Sequence, residues 1–299
     1  MIKVRKIHKS FEKNKILNDV SFTVDRGSIY GLLGSNGAGK TTLMRMIAGI
    51  IQADNGQVLV REEDVFENIP IKKRMVFVPD ALYYLPQYTV RQMANYYRDL
   101  YDGWDEERYE ELKGSFHLDE NKKISQFSKG MQRQVAFWLS LSIKPDVLIL
   151  DEPFDGLDAV MRKKVRSLII QDVADREMTV LISSHNLREV EDICDHVGIL
   201  HDGQILLERD LDELKADVHK VQVAFKDDSE EILESDLTIL HREKRGSVLL
   251  MIVKGEEQKV IAEIQKYSPI VFDRLQLTLE EIFIYEMGGV GYAIDNILV

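Results

Sequence analysis

The sequence predicts an α/β fold, a parallel sheet with flanking helices, followed by a smaller α+β domain; three observations carry that reading. Short, mostly apolar runs at Ile29 to Leu33, Val147 to Leu150 and Thr179 to Ser183 have the length and branching of strands buried on both faces. Gly34 to Thr42 reads GSNGAGKTT, a full G-x-x-x-x-G-K-[ST], directly behind the first run and ahead of the helical pattern Leu43 to Ile47. From about residue 216 the pattern changes to short alternating strands and two amphipathic helices.

Residues 1 to about 85 alternate strands with the helix that follows the glycine loop. Gly34, Gly37 and Gly39 admit backbone angles and close approaches that a Cβ would block, so the N–H groups from Ser35 and Asn36 through Ala38 can turn inward around phosphate oxygens. A helix opening near Gly39 adds its positive end. Lys40 would reach β- and γ-phosphates as a point charge, Thr41 would give its hydroxyl to a Mg²⁺, and Thr42 completes the motif. Residues about 86 to 142 read as mostly helical, in three segments: Val90 to Tyr101, Glu106 to Phe116 and Lys129 to Ile143. From 144 to 214 strands and helices alternate again.

Two of those later strands deliver polar side chains to the edge of the sheet where ligands of open α/β folds bind. Val147 to Leu150 leads into Asp151-Glu152-Pro153; Asp151 is expected to hold Mg²⁺, and Glu152 to orient and deprotonate an attacking water. Thr179 to Ser183 ends just before His185, expected at a γ-phosphate.

Composition sets the outer limits. The formal charge of −12 argues against nucleic-acid binding, and the short basic runs Lys72-Lys73-Arg74 and Lys163-Lys164 read as solvated faces. No stretch nears the ~18 consecutive apolar residues of a membrane span, and MIKVRKIHKSFEK lacks a signal-peptide core, so a cytoplasmic location is expected. Cys194 is the one cysteine, with no partner for a disulfide or a zinc site, and reads as a small buried hydrophobe.

Over roughly residues 1 to 215 these motifs resemble the ATP-binding cassette (ABC) ATPases, P-loop NTPases with a helical subdomain. The distinguishing mark is Phe127-Ser128-Lys129-Gly130-Met131-Gln132, about twenty residues before the Asp151 strand, which resembles the signature loop. Lys129 and Met131 depart from the common LSGGQ form, whereas Ser128 and Gly130 are intact, and SKGM is similar to bacterial exporters of the ABC-2 type. The resemblance implies that Ser128 and the Gly130 N–H face an ATP held by the opposite subunit. It places Phe11 as the aromatic that stacks on adenine, and Asp155-Gly156-Leu157-Asp158 as the D-loop, with Asp158 near nucleotide. Asp80 falls where the family has a glutamine at the metal, a departure: a carboxylate is shorter and only accepts hydrogen bonds.

The last 85 or so residues form the second predicted domain, 216–299, behind an ABC ATPase domain at 1–215 with its helical subdomain at about 86–142. A strand through Val221, Val223 and Phe225, a short helix from Glu230 to Glu234, strands at Leu237 to Leu240 and Ser247 to Val253 around Gly246, a helix from Glu257 to Tyr267, and a strand from Val271 to Leu275 give the order β-α-β-β-α-β. That is the order of a ferredoxin-like unit. Thr278-Leu279-Glu280-Glu281 is a capping box opening a last helix. Leu279 to Phe283 resembles the closing helix of ABC-2 export ATPases, and Asp212 to Lys215 with Lys220 to Phe225 resembles the YtrB-type ATPases, a subfamily associated with acetoin utilisation and cell-envelope antibiotic response.

The resemblance implies an ATP-hydrolysing subunit on the inner face of the cell membrane. It would work as a homodimer, or a heterodimer with a second ABC ATPase, around two Mg-ATP. Its partner would be an integral membrane permease, met through the segment Ala81 to Tyr88 with Tyr83, Tyr84 and Leu85. A soluble ABC ATPase acting on ribosomes or DNA is the rival; two cassettes or long coiled coils would mark it, and the sequence carries one cassette and no such heptad run.

Overall fold

The computed structural model describes residues 1–226 and 236–288. The expected helix at Glu230 to Glu234 and the tail from Gly289 lie outside them. The chain divides into two compact units, Met1–Glu208 and Arg209–Val299.

The first unit opens with two long strands, β1 (Ile2–Phe11) and β2 (Asn14–Val24), then β3 (Ile29–Leu33) and helix α1 (Lys40–Ile47). β4 (Asn55–Val60), β5 (Glu63–Asp64), α2 (Ile69–Lys72) and β6 (Met75–Val78) follow. Three helices come next, α3 (Val90–Leu100), α4 (Glu106–Phe116) and α5 (Lys129–Ser142). The chain then alternates β7 (Val147–Asp151), α6 (Ala159–Arg176), β8 (Thr179–Ser184) and α7 (Leu187–Glu191) before the pair β9 (His196–His201) and β10 (Gln204–Asp210).

Two sheets result, a six-stranded one in the order β10-β9-β3-β8-β7-β6 and a four-stranded one in the order β2-β1-β4-β5. From β9 to β6 the large sheet is parallel, so the ends of β3, β7 and β8 emerge along one edge. Every residue of β3, β7 and β8 is buried, as expected of apolar runs covered on both faces. One face, through Tyr30, Leu32, Val147, Ile149 and Leu181, packs with α1 and the small antiparallel sheet into a single core. On the other face Gly31 is pressed so closely that an added Cβ would lie 2.5 Å from a Val190 methyl and 3.1 Å from the Cys194 sulfur. Cys194 is buried, and desolvation drives its thiol pKa upward.

The three-helix region begins and ends where side chains can cap it. Thr89 and Gln92 form a capping box on α3, and Asp105 and Ser128 cap α4 and α5. α4 and α5 are joined by Tyr109 and Trp138, both fully buried and stacked 4.8 Å apart, with the indole N–H donating to the Tyr109 carbonyl at 2.9 Å.

The second unit holds α8 (Leu211–Asp217), β11 (Val218–Ala224), β12 (Thr238–Arg245), β13 (Val248–Lys254), α9 (Glu257–Gln265), β14 (Val271–Leu275) and α10 (Leu279–Gly288). Its strands pair antiparallel in the order β12-β13-β11-β14, and Val221, Val223, Met251 and Val253 bury one face against Val260 and Ile264 of α9. The capping box at α10 forms in both directions: Glu281 N–H donates to the Thr278 hydroxyl at 3.2 Å, and Thr278 N–H to the Glu281 carboxylate at 3.0 Å. β12 runs to Arg245, five residues beyond the expected strand end. Among the described strands it is an edge, paired with β13, so its charged residues can face water without breaking the ladder.

Candidate active site

The loop between β3 and α1 surrounds a cleft of about 290 Å³ lined by Ser35, Asn36, Gly37, Gly39, Lys40, Thr41 and Thr42, with Ile16, Asp80 and Glu152 completing the wall. Gly39 holds the turn into α1 at φ +105°, a backbone conformation that side chains resist, and an added Cβ there would lie 2.9 Å from Leu17. Gly37 has φ +88° and no atom within 4 Å of where a Cβ would stand, so the loop encloses open space. Lys40 is buried; its ammonium donates to the Gly34 carbonyl at 2.6 Å and the Ser35 carbonyl at 3.3 Å, and lies 3.3 Å from Glu152 Oε1.

The carboxylates at the end of β7 are organised from the neighbouring strand. The Ser183 hydroxyl on β8 donates to Asp151 Oδ1 at 2.6 Å and accepts the Glu152 N–H at 3.0 Å. That second bond holds Glu152 at φ +46°, a left-handed conformation that costs a non-glycine residue on the order of 1–3 kcal/mol. Glu152 Oε2 meets His185 Nδ1 at 2.9 Å and the His185 N–H at 3.4 Å. An ionised Glu152 only accepts, so this contact requires the proton on Nδ1 and leaves Nε2 of a neutral ring as an acceptor.

Among the described residues two buried carboxylate oxygens accept no hydrogen bond: Glu152 Oε1, which the Lys40 ammonium faces, and Asp151 Oδ2. Leaving Asp151 Oδ2 bare costs free energy, which a cation or a water proton delivered there would recover. Glu152, Asp155 and His185 also bring one ligand-type atom each within 4.8 Å of one another.

The remaining residues singled out in the sequence fall elsewhere. Phe11, at the end of β1, is 45% exposed with the Lys9 ammonium 5.4 Å from its ring centre, and Ile16, not Phe11, contributes the apolar wall of the phosphate cleft. Asp158 caps α6 through the Met161 N–H at 2.9 Å. Ser128 caps α5 by accepting the Met131 N–H at 3.3 Å. Neither Ser128 nor Gly130 lines the phosphate cleft; Gly130 backs onto the D-loop, where an added Cβ would lie 2.5 Å from the Gly156 carbonyl oxygen.

Asp80 does line the cleft, but its carboxylate has a partner that no local motif could name. Arg133 on α5, almost fully buried, donates to Asp80 Oδ1 at 3.1 Å, to the Asp80 carbonyl at 2.9 Å and to the Pro79 carbonyl at 3.1 Å. Of the segment after it, Tyr83 is 76% exposed, whereas Tyr84 is half-buried with its hydroxyl on the Gln132 carbonyl at 2.7 Å. Among the described residues no helix is long and apolar enough to cross a membrane.

Comparison with known proteins agrees with this geometry. Residues 17–155 match the family model described as ABC transporter. The chain is 34% identical over 290 residues to the ABC transporter ATP-binding protein YtrB of Bacillus subtilis (strain 168), covering 97% of this chain and 99% of that one. It is 35% identical over 218 residues to the bacitracin transport ATP-binding protein BcrA of Bacillus licheniformis, covering 72% and 71%. A dimeric ATP-binding cassette in a post-hydrolysis state bound to ADP and Pi superimposes with a TM-score of 0.65 at 21% identity, covering 71% of this chain and 99% of that one. The chain belongs to the ATP-binding proteins of ABC transporters, and its activity is ATP hydrolysis coupled to transport.

Proposed function

We propose that this chain powers an exporter of the ABC-2 type as one of two ATPase subunits meeting head to tail around two Mg-ATP. One observation carries the proposal: within a single chain the phosphate cleft lacks Ser128 and Gly130, so the donors at the start of α5 are free to serve a nucleotide held by another copy or by a second ABC ATPase. The dimeric cassette of the same fold bound to ADP and Pi, and the bacitracin transport relative, support the same reading. The partner is an integral membrane permease, met from the cytoplasmic side through the segment around the exposed Tyr83. The 34% likeness to YtrB across nearly the whole chain favours a YtrB-type transporter.

The geometry supports a set of roles. The loop N–H groups and Lys40 bind the phosphates, and Phe11 offers a ring for adenine. Thr41, Asp151 and Asp80 would hold Mg²⁺; the bare Asp151 Oδ2 is the oxygen that fits it, and the ion would spread the charge of the phosphoryl oxygens. Ser183 fixes Asp151 and the Glu152 backbone together, so the two carboxylates keep their relative placement. Once phosphate draws Lys40 away, Glu152 Oε1 is left to accept a proton from water, while Oε2 stays on His185. His185 then presents its other nitrogen to the transferred phosphoryl group. In the second unit, the sheet order β12-β13-β11-β14 is that of a ferredoxin-like fold read from its far edge, which supports that reading for 216–299.

Glu152→Gln tests the scheme. The amide can still bond His185 but cannot take a proton, so the variant is expected to bind ATP, accumulate as a nucleotide-bound dimer by light scattering, and lose turnover at least 100-fold. Unchanged Mg-ATP turnover would remove Glu152 as the base.

A further inference from the structure

Glu189 lies outside the scheme above, yet it is the one glutamate among the described residues with almost no exposure, 4%. It sits on the short helix that follows His185. The Ser184 hydroxyl donates to its Oε2 at 3.0 Å, and the same Ser184 oxygen accepts the Asn186 N–H at 2.9 Å, so the two residues flanking His185 are pinned through one atom to Glu189. On its other side, Oε1 lies 3.3 Å from the Arg162 guanidinium of α6. Arg162 in turn donates to the Leu157 carbonyl at 3.3 Å, inside the Asp155 to Asp158 loop. That loop's Gly156 carbonyl is the atom packed against Gly130.

The geometry points to Glu189 and Arg162 as positioning residues for hydrolysis: the pair ties the His185 turn to the D-loop, so the aim of His185 at Glu152 follows where that loop sits. The inference rests on the roles proposed for Glu152 and His185. When a second subunit presses on the D-loop, Arg162 transmits the displacement to Glu189 and Ser184, and the His185 turn moves with them. A hydrogen-bonded chain with a fixed set of partners can do this where loose packing would not.

Ionising so buried a carboxyl carries a cost. Burial pushes the Glu189 carboxyl above its ordinary range, with Asp155 and Glu152 nearby acting the same way, while Ser184 and Arg162 oppose them. The group therefore binds its proton more tightly folded than unfolded. Ionising it works against the fold, and stability is lost as pH rises from the ordinary glutamate range through the raised value. A glutamine has one acceptor oxygen, so keeping the Ser184 bond turns its NH₂ toward Arg162 and cuts the link on that side without burying a charge.

The test compares Glu189→Gln, Arg162→Ala and the double variant with the unaltered chain, using amide hydrogen exchange, thermal melting and steady-state Mg-ATP hydrolysis on full-length protein. Glu189→Gln should melt no lower than the unaltered protein, keep KM within about twofold, and lose about tenfold in kcat, the scale of a sub-ångström misplacement. The double variant should lose no more than the worse single one, because both cut one link. Arg162→Ala should speed exchange of the Asn186 amide, although Arg162 belongs to a different helix. Unaltered Asn186 exchange in Arg162→Ala overturns the link whatever the turnover. A Glu189→Gln kcat within twofold of the unaltered value, or a kcat loss that merely tracks lowered melting or nucleotide binding, overturns the positioning role. If instead the exchange result holds and Glu152→Gln hydrolyses ATP normally, the linkage stands and the assignment of the base fails.

Discussion

Gly130→Ala places one methyl group where the signature loop and the D-loop touch, and the structure sets its consequence. The new Cβ would start 2.5 Å from the Gly156 carbonyl oxygen. Even a weak C–H···O contact needs about 3.3 Å, so the start of α5 and the D-loop must part by roughly 0.8 Å. Overpacking of this kind costs about 1–3 kcal/mol, but Gly130 lies in the first turn of a helix, where alanine recovers up to about 1 kcal/mol of propensity. The net loss of stability is then about 0–2 kcal/mol, a fall in melting temperature of no more than ~8 °C for a unit of this size. The functional effect is far larger, because both sides of the separated contact are expected to face the nucleotide. A displacement near 1 Å in a positioned site costs about 100-fold in rate. Phosphate-release kinetics at saturating Mg-ATP, alongside a melting curve and nucleotide affinity, would measure all three. Turnover within threefold of the unaltered protein, with the fold intact, would refute the idea that this contact registers the two loops.

Two further outcomes follow from burial. Trp138→Phe keeps the ring stack but removes the indole bond to the Tyr109 carbonyl and leaves a smaller ring between α4 and α5, and should lower stability by about 1–3 kcal/mol in a thermal or urea melt. Cys194, with its thiol pKa raised by burial, should react with iodoacetamide at pH 8 at least 100-fold more slowly in the native protein than in urea, since little of it is thiolate and the residue is buried.

The sequence revealed most where structure is local. The glycine loop, the buried strands and the helix starts at Thr89, Ser128 and Thr278 are each written in a handful of contiguous residues, and each forms at or within a residue or two of its expected place. What it hid are partners distant along the chain. Ser183 reads as the last residue of an apolar strand, and only the pairing of β8 with β7 shows it bracing both carboxylates. Asp80 reads as a substitution at a glutamine position; the guanidinium that meets it comes from 53 residues away. Glu189 and Arg162 look like charges on helices, and nothing in their spacing signals that they meet. The cation on Phe11 and the place of Ile16 in the cleft wall likewise depend on how β1 and β2 turn over.

Lys40 gives the phosphate loop a property of its own. Because its ammonium already holds the Gly34 and Ser35 carbonyls and faces Glu152, an incoming anion does not fill an idle charge; it competes with standing partners. The exchange returns little to a small anion that offers one oxygen, and much to a chain of phosphates that can also occupy the inward N–H groups. The contacts of the lysine thus set a threshold that a chain of phosphates meets more readily than a single small anion does.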